Sequence, residues 1–269
     1  MKYTLIILSL ILIATSPLIA AKKNQLTLTG STTVLPIAQA AAEAFMDKYD
    51  VNVSVRGGGS GVGVAALMNK TVDIANSSRP MKAKEITIAK SSGVNPTAYA
   101  IANDGITIVV NTKNTVKNLT IKDLKGIYTG KITNWNQIGG LNMPITVISR
   151  DVSSGTFEVF NEKVLSGSKV IDSAMMLASN NAVASTVGDT PGAIGYIGLG
   201  YVTEKTKIVN VENCIPSIQT IKSGEYKLSR KLYMYTNGPA KGNTAGYLNF
   251  IFSPEGQKIV EEQGFISVK

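Results

Sequence analysis

The sequence predicts an α/β protein of two lobes, with a largely parallel sheet covered by helices. Three segments support this prediction, because each reads as a strand, a tight loop of glycine and hydroxyl residues, and a helix. These segments begin at Leu26, Val51 and Ile145. Ligands of open α/β sheets bind at the carboxyl ends of the strands, which is where these loops lie.

The three units share one pattern of apolar residues. The first begins with LTLTG, which alternates apolar and polar residues as a half-buried strand does, and continues into GSTTVLPIAQAAAEAF. The second runs from VNVSVR into GGGSGVGVAALMNK, and the third runs from ITVIS through Arg150 into SSGTFEVFNEKVL. The apolar residues at helical spacing are Ala38, Ala41, Ala42 and Phe45, then Val64, Leu67 and Met68, then Phe157, Phe160 and Val164.

Two longer apolar runs, DGITIVVN from Asp104 and RKLYMYTNG from Arg230, predict buried strands. Because they lie far apart in the chain, we expect the chain to leave one lobe along the first and return along the second. Lobe 1 is then expected to contain residues 22–107 and 232–269, and lobe 2 residues 108–231.

The N-terminus has the three parts of a secretory signal peptide. Residues 1–21 (MKYTLIILSLILIATSPLIAA) have a positive start, an apolar run and small residues before Lys22 and Lys23. The alternative is a retained N-terminal anchor, since the run is nearly long enough to span a membrane. No cysteine follows it, so a lipid anchor is not indicated. Either way, we expect the protein to work in the periplasm or at the outer face of the cytoplasmic membrane.

The composition of the 269 residues limits the available chemistry. Histidine is absent and Cys214 is the single cysteine, which excludes a histidine-assisted nucleophile, a Cys/His zinc site and an intrachain disulfide. We expect Cys214 to be a small buried apolar residue. The net charge is +9, but no run of five basic residues occurs, so nucleic acid is not an expected partner. Binding is therefore favoured over catalysis.

The loops of the three units, at residues 30–33 (GSTT), 57–61 (GGGSG) and 153–156 (SSGT), combine hydroxyl groups with glycines before a helix. A helix N-terminus offers unpaired N–H groups and the positive end of the helix dipole. Arg150 adds a forked, permanently charged donor that suits a tetrahedral oxyanion. One such loop alone is more often a plain N-cap. Three loops and an arginine together predict a site for a small anion.

Enzyme motifs are weak in this chain. Gly61, Gly63 and Ala66 fit a loose dinucleotide pattern, but no acidic ribose partner follows at the required distance. A nucleophile elbow around Ser60 is excluded because position 62 is valine.

Seven segments follow one another in a specific order: GSTTVLPIAQ, GGGSGVGVAAL, VDIANSSRP, DGITIVVN, RDVSSGT, GAIGYIGLGY and SGEYKLSRKLYMYTNG. In this order the chain resembles periplasmic phosphate-binding proteins, the solute receptors of ABC-type phosphate importers, over residues 26–264. The resemblance implies a two-lobe, type II periplasmic-binding-protein-like fold with two hinge crossings. It also implies a monomer that closes on inorganic phosphate and delivers it to a membrane permease, with no cofactor or metal.

The resemblance further implies which residues bind phosphate. The first loop and the glycine-rich loop supply hydroxyl and backbone donors, and the third loop supplies an arginine and a helix start. These residues are Ser31, Thr32, Thr33, Gly59, Ser60, Gly61, Arg150, Ser154, Gly155 and Thr156, with Ser153 adjacent to them.

Longer members of that family carry an aspartate where VDIANSSRP has Ser78, and its carboxylate accepts a proton from phosphate. Phosphate near neutral pH retains a proton and sulfate does not, so a buried acceptor favours phosphate. Ser78 is expected to weaken this preference, because a hydroxyl accepts or donates.

Three charged residues near the motifs are each expected to have a different role. Arg79 either contacts the anion or pairs with Asp73 or another carboxylate. Asp151 is expected to restrain Arg150 rather than to contact the ligand. Asp104 is expected to be structural, at the start of a hinge strand.

Four functions remain open at this point. A phosphate receptor that is not an enzyme is the leading hypothesis. The same site in a receptor for sulfate, molybdate or another oxyanion is the second. A secreted phosphate-ester hydrolase is the third, although Ser60 has no histidine partner. A surface adhesin that has kept the fold and lost the site is the fourth.

Overall fold

The computed structural model describes residues 24–268, which form an α/β protein around one ten-stranded sheet. The signal peptide or anchor predicted for residues 1–21 lies outside the described residues. Within 24–268, no helix combines the length and the apolar character needed to cross a membrane.

The strands and helices alternate along most of the chain. The strands are β1 (Gln25–Gly30), β2 (Asn52–Gly57), β3 (Ile74–Ser77), β4 (Pro96–Asn111), β5 (Asn118–Leu119), β6 (Thr146–Arg150), β7 (Met175–Leu177), β8 (Ala193–Gly198), β9 (Thr206–Val211) and β10 (Ser229–Asn237). The helices are α1 (Leu35–Met46), α2 (Ser60–Met68), α3 (Ala83–Ser91), α4 (Ile121–Tyr128), α5 (Gly155–Phe160), α6 (Asn180–Asp189), α7 (Ile218–Lys222), α8 (Gly242–Phe252) and α9 (Pro254–Glu262).

The two crossing strands β4 and β10 join two halves of the sheet. The strand order is β2-β1-β3-β10-β4-β8-β6-β7, and β9 pairs with β4 and β5. β1 is parallel to β2 and β3, and β6 is parallel to β7 and β8. β4 and β10 are antiparallel to each other and to their outer neighbours. The predicted parallel pairing is therefore confirmed away from the hinge, whereas the hinge itself is antiparallel.

Each lobe has an apolar core of its own. In lobe 1, Phe45 packs edge-on against Tyr247 with ring centroids 5.5 Å apart, and in lobe 2 Phe160 stacks on Tyr196 at 4.0 Å. The partner of β4 changes from β10 to β8 between Gly105 and Ile106. Two separate cores joined at that point give two bodies that can rotate about the crossing strands. The exact lobe bounds after residues 107 and 231 stay a prediction.

The three strand–loop–helix units are confirmed as β1–α1, β2–α2 and β6–α5, and both long apolar runs are strands. The run from Asp104 is longer than predicted, since β4 begins at Pro96. Cys214, predicted to be a small buried apolar residue, is only partly buried, although it packs against the core of lobe 2. It follows a tight turn in which Glu212 and Asn213 have positive φ angles, and such turns lie at the surface.

Candidate anion-binding site

The glycine-rich loop of lobe 1 lies directly against the SSGT loop of lobe 2. The Gly61 N–H donates to the Ser153 carbonyl at 2.9 Å, and the Ser153 hydroxyl oxygen lies 3.2 Å from the Gly58 carbonyl oxygen. Gly59 has a φ of +97°, and a Cβ there would lie 2.4 Å from the Ser153 hydroxyl oxygen. Only glycine allows this backbone conformation together with this close approach.

Ser60, Ser78 and Gly155 form a second contact between the lobes, and all three are buried. The Ser60 hydroxyl accepts a hydrogen bond from the Ser78 N–H at 3.0 Å and lies 3.3 Å from the Ser78 hydroxyl. A Cβ on Gly155 would lie 2.3 Å from Ser60 Oγ and 2.7 Å from Ser78 Oγ. Because α2 begins at Ser60 and α5 at Gly155, the first turns of both helices meet here.

Arg150, at the end of β6, is 1% exposed. Its Nε donates to the Leu177 carbonyl at 3.0 Å, and its Nη2 donates to the Ala178 carbonyl at 2.9 Å and to Thr32 Oγ1 at 3.2 Å. Its Nη1 is buried and has no hydrogen-bond partner among the described residues. Burial lowers the pKa of the guanidinium, but an arginine stays charged at neutral pH. A buried charge with a free donor requires an anion or another acceptor.

A second guanidinium, that of Arg230 at the start of the run RKLYMYTNG, lies in the same cluster, although it is not among the predicted ligands. Its Nε and Nη2 donate to Asp104 Oδ2 at 2.9 Å and 2.8 Å, and Asp104 Oδ1 accepts from the Leu199 N–H at 3.0 Å. Burial raises the pKa of Asp104 and lowers the pKa of Arg230, and their ion pair opposes both shifts. Asp104 therefore lies in a hinge strand, although inside β4 and not at its start as expected, and it also neutralises an arginine of the site.

The hydroxyls of three predicted residues, Thr32, Thr33 and Thr156, connect the two arginines. Asn180, which begins α6, donates through Nδ2 to Thr32 Oγ1 at 3.2 Å and to Thr33 Oγ1 at 3.1 Å. Thr33 Oγ1 lies 3.1 Å from Thr156 Oγ1, across the lobes. Arg230 donates to Thr156 at 3.0 Å and to Thr33 at 3.3 Å. Asn180 is thus another member of the site that no motif identifies.

The hydroxyls of Ser31 and Ser154 make local bonds instead. Ser31 Oγ accepts from the Thr33 N–H at 3.1 Å and from the Val34 N–H at 3.4 Å. Ser154 Oγ accepts from the Phe157 N–H at 3.3 Å and caps α5. The plain-cap alternative therefore describes these two hydroxyls, and their role as ligands stays a prediction.

The assignment of Arg79 as an anion ligand is corrected by the structure. Arg79 Nη1 and Nη2 donate to the Glu85 carboxylate at 2.8 Å and 2.7 Å. Arg79 Nε and Lys82 Nζ each lie 2.7 Å from Glu158 Oε2. Two carboxylates neutralise this guanidinium, so it pairs with acids as the alternative stated, although not with Asp73. Because Glu158 lies on α5, the cluster joins lobe 1 to lobe 2.

Asp151 shapes the turn that precedes α5. Its Oδ1 accepts from the Ser153 N–H at 2.8 Å and from the Ser153 hydroxyl at 2.5 Å. Its negative charge also raises the pKa of Arg150, against the larger effect of burial. The hydrogen bonds of Asp151 go to Ser153, and its restraint of Arg150 stays a prediction.

The site as a whole is rich in donors and carries excess positive charge. Arg150 and Arg230 supply two guanidinium groups, whereas Asp104 is the one carboxylate that pairs directly with either of them among residues 24–268. Within those residues, no three acidic or cysteine side chains come together as a metal site would require. Fixed N–H and O–H donors around a buried cation are suited to a small oxyanion.

Comparison with known proteins agrees with this geometry. Residues 16–255 match the model of the PBP superfamily domain. The chain is 35% identical over 248 residues to the phosphate-binding protein PstS of Bacillus subtilis, covering 91% of this chain and 81% of that protein. It is 32% identical to the PstS of Borreliella burgdorferi, covering 98% of this chain and 99% of that protein. The chain belongs to the family of periplasmic phosphate-binding receptors.

Solved structures of relatives confirm the fold of this family member. A phosphate ABC transporter substrate-binding protein from Clostridium perfringens, described with bound phosphate, superposes with a TM-score of 0.85 at 34% identity. The superposition covers 91% of this chain and all of that one (100%). An ABC-type phosphate transport receptor from Vibrio cholerae gives a TM-score of 0.74 at 32% identity, covering 90% of this chain and 99% of that one. The two-lobe, type II fold with two hinge crossings is therefore confirmed.

Proposed function

We propose that this chain is an extracytoplasmic receptor that closes on inorganic phosphate and delivers it to the permease of an ABC phosphate importer. The observation that carries the proposal is Arg150 Nη1, a buried charged donor without a partner among the described residues. It lies in a cluster built by both lobes, so an anion bound there would hold the lobes together. The names of the relatives support phosphate as the ligand.

The proposed phosphate-binding residues donate hydrogen bonds to the anion. Arg150 Nη1 supplies the charged donor, and the Thr32 and Thr156 hydroxyls lie within hydrogen-bond distance of the arginines that frame the site. The first turns of α2 and α5, at Ser60 and Gly155, add backbone N–H groups and the positive ends of their dipoles. Gly59, Gly61 and Ser153 are proposed to shape the site through their contacts between the lobes.

We propose binding rather than catalysis as the activity. The relatives are named as binding proteins and transport receptors. The Ser60 hydroxyl accepts from the Ser78 N–H and contacts the Ser78 hydroxyl, and neither group is a general base. A hydrolase would release phosphate from a chromogenic ester, with or without added divalent metal. The proposed receptor releases none.

A receptor for sulfate or molybdate is the second candidate, and Ser78 is the observation that favours it. The position that carries a proton-accepting aspartate in longer family members holds a buried hydroxyl here. Asp104 is not proposed to substitute for it, because its charge is paired with Arg230 through Oδ2 and its Oδ1 accepts from the Leu199 N–H. Selection of phosphate over sulfate therefore depends on hydroxyl groups.

The cellular context of the proposal rests mainly on the sequence. The proposed receptor is secreted by its N-terminal segment, acts as a monomer outside the cytoplasmic membrane and meets the permease there, without nucleic acid as a partner. Solution scattering tests the closure mechanism, because phosphate should reduce the radius of gyration. Unchanged dimensions at saturating phosphate would contradict it.

Calorimetric titration tests the ligand. Residues 22–269 are unfolded and refolded to strip bound anions, then titrated with phosphate and with sulfate near neutral pH. Tight phosphate binding that Arg150→Ala weakens strongly and Arg56→Ala preserves is the expected result, since Arg56 is exposed on β2. Comparable binding of both anions favours the second candidate. Binding of neither anion refutes both and favours the adhesin.

A further inference from the structure

Arg230 has no donor left for a ligand, which distinguishes it from Arg150. Its Nε and Nη2 donate to Asp104, its Nη2 also donates to Thr33, and its Nη1 donates to Thr156 and, at 3.4 Å, to the Ser78 carbonyl. The five N–H groups of a guanidinium are therefore all assigned. Whatever Arg230 contributes to the site must act through the groups that it contacts.

The Asn180 side chain has one possible orientation. Its Oδ1 accepts from the Gly198 N–H at 3.1 Å, and a backbone N–H only donates. The amide nitrogen must therefore point at Thr32 and Thr33, and its two N–H groups donate to their hydroxyl oxygens at 3.2 Å and 3.1 Å.

These assignments determine, one after another, the direction in which each threonine hydroxyl proton points. Thr33 Oγ1 accepts from Asn180 and from Arg230, which uses both lone pairs, so its proton must go to Thr156 Oγ1 at 3.1 Å. Thr156 Oγ1 then accepts from Arg230 and from Thr33, so its own proton is free to donate outward. Thr32 Oγ1 accepts from Arg150 and from Asn180, and it is left with a free proton for the same reason.

We propose that Arg230 is a positioning residue that fixes the hydroxyls of Thr33 and Thr156 in one direction and thereby makes the site select doubly charged oxyanions. The inference rests on the proposed anion-binding function and adds the charge state of the ligand. Groups that only donate hydrogen bonds provide no acceptor for a proton of the ligand. The Ser78 hydroxyl is the remaining acceptor, and its one contact among the described side chains is Ser60 Oγ. The phosphate dianion has one proton and fits, whereas the monoanion has two and leaves one unpaired.

The charged and titratable groups around this network come from every element that packs against it. They are Asp104 on β4, Arg150 at the end of β6, Asp151 after it, Tyr196 on β8, Tyr201 after β8 and Arg230 on β10. Burial raises the pKa of Tyr196 to about 12 and raises that of Tyr201 further. Sulfate does not titrate near neutral pH, so its binding at two pH values reports any change in these protein groups separately from phosphate.

The test compares phosphate and sulfate binding by calorimetry on either side of the second ionisation of phosphate, at about pH 5.5 and about pH 8. The variant is Asp104→Asn combined with Arg230→Gln, because Arg230→Gln alone would leave a buried carboxylate unpaired and risk misfolding. The wild type is expected to bind phosphate more tightly at the higher pH and sulfate equally at both. In the double variant, Thr156, the terminal hydroxyl of the Thr33–Thr156 pair, can turn and accept a proton from the ligand. The ratio of phosphate affinities should then fall about tenfold, the effect of one hydrogen bond to a charged group.

Thr156→Val provides an independent test, because it removes the terminal hydroxyl and leaves the Asp104–Arg230 pair intact. If Arg230 acts through Thr156, the double variant should change the pH ratio little in the Thr156→Val background. Lys231→Gln, at the exposed neighbour on β10, is the matched control and should retain the wild-type ratio.

The outcomes separate this inference from the proposed function. An unchanged pH ratio in the double variant, or additive effects with Thr156→Val, would overturn the positioning role while phosphate binding by the wild type upholds the receptor. Sulfate binding that changes with pH in the wild type would also overturn it, since protein groups would then set the profile. Binding of neither anion by the wild type would overturn both.

Discussion

Gly155→Ala should block closure while leaving each lobe intact. The added Cβ would lie 2.3 Å from Ser60 Oγ and 3.0 Å from Ser60 Cβ, closer than packed atoms approach. Gly155 does not have a positive φ, so alanine fits its backbone and the conflict arises only across the cleft. Ser60 can turn its hydroxyl away only by losing the bond from the Ser78 N–H at 3.0 Å.

The expected cost follows from the bonds that closure forms. Losing one neutral hydrogen bond costs about 1 kcal/mol and losing one bond to a charged ligand about 2 kcal/mol. The two losses together amount to about 3 kcal/mol, which corresponds to roughly a hundredfold weaker phosphate binding. The thermal stability of the ligand-free protein should hardly change, because the open form has no conflict.

Calorimetry measures the affinity, solution scattering measures compaction by phosphate, and thermal melting without ligand measures the fold. Gly246→Ala, within α8, is the matched control. Its Cβ would lie 3.6 Å from the Phe45 ring of α1, which is an ordinary contact. Wild-type affinity and compaction in Gly155→Ala would refute the close interlobe contact. Equal loss of ligand-free stability would refute the argument that only closure is affected.

Three further predictions concern the charged residues. Arg150→Ala should weaken phosphate binding by about 2–5 kcal/mol in a calorimetric titration, because a buried charged donor is lost, and near-wild-type binding would show that Arg150 is not the main ligand. Glu158→Gln removes the carboxylate that Arg79 and Lys82 reach across the lobes, so phosphate affinity should fall by about 0.5–1 kcal/mol and depend less on salt; an unchanged salt dependence contradicts this. Burial would raise the pKa of Glu85, but the Arg79 hydrogen bond and charge outweigh it and lower that pKa below 4.5. The pair therefore stabilises the protein fully above that pH, and its contribution is lost as the pH falls through the lowered pKa. Between neutral pH and about pH 3, the melting temperature of Glu85→Gln should fall by less than that of the wild type.

The parts of the fold that depend on local pattern could be predicted from the sequence. The alternation in LTLTG and the apolar spacing after it indicate β1 and α1, because period-two and helical patterns reflect which face of each element is buried. The same holds for β2–α2 and β6–α5. The extension of β4 back to Pro96 could not be read in this way, since PTAYAIAN is apolar on neither one face nor both.

The parts of the site that depend on distant pairs could not be predicted from local pattern. Arg230 and Asp104 are 126 residues apart, and Asn180 reaches Thr32 over 148 residues. A charged residue at the start of an apolar run is the one available signal, and both Asp104 and Arg230 have it. From the sequence alone, each residue is interpreted as a solvated charge at one end of a strand. The register of β4 and β10 places the two opposite each other.

That register also determines how closure and binding are coupled. Arg230 and Asp104 are paired residues of the two crossing strands, so we expect them to stay together when the lobes open. Thr33 lies in lobe 1 and Thr156 in lobe 2, and both hydroxyls contact Arg230, so we expect opening to separate them. We therefore expect the full set of oriented donors to form only when the lobes close. An anion that binds this set has a higher affinity for the closed form than for the open form, and that difference is the free energy with which it shifts the equilibrium.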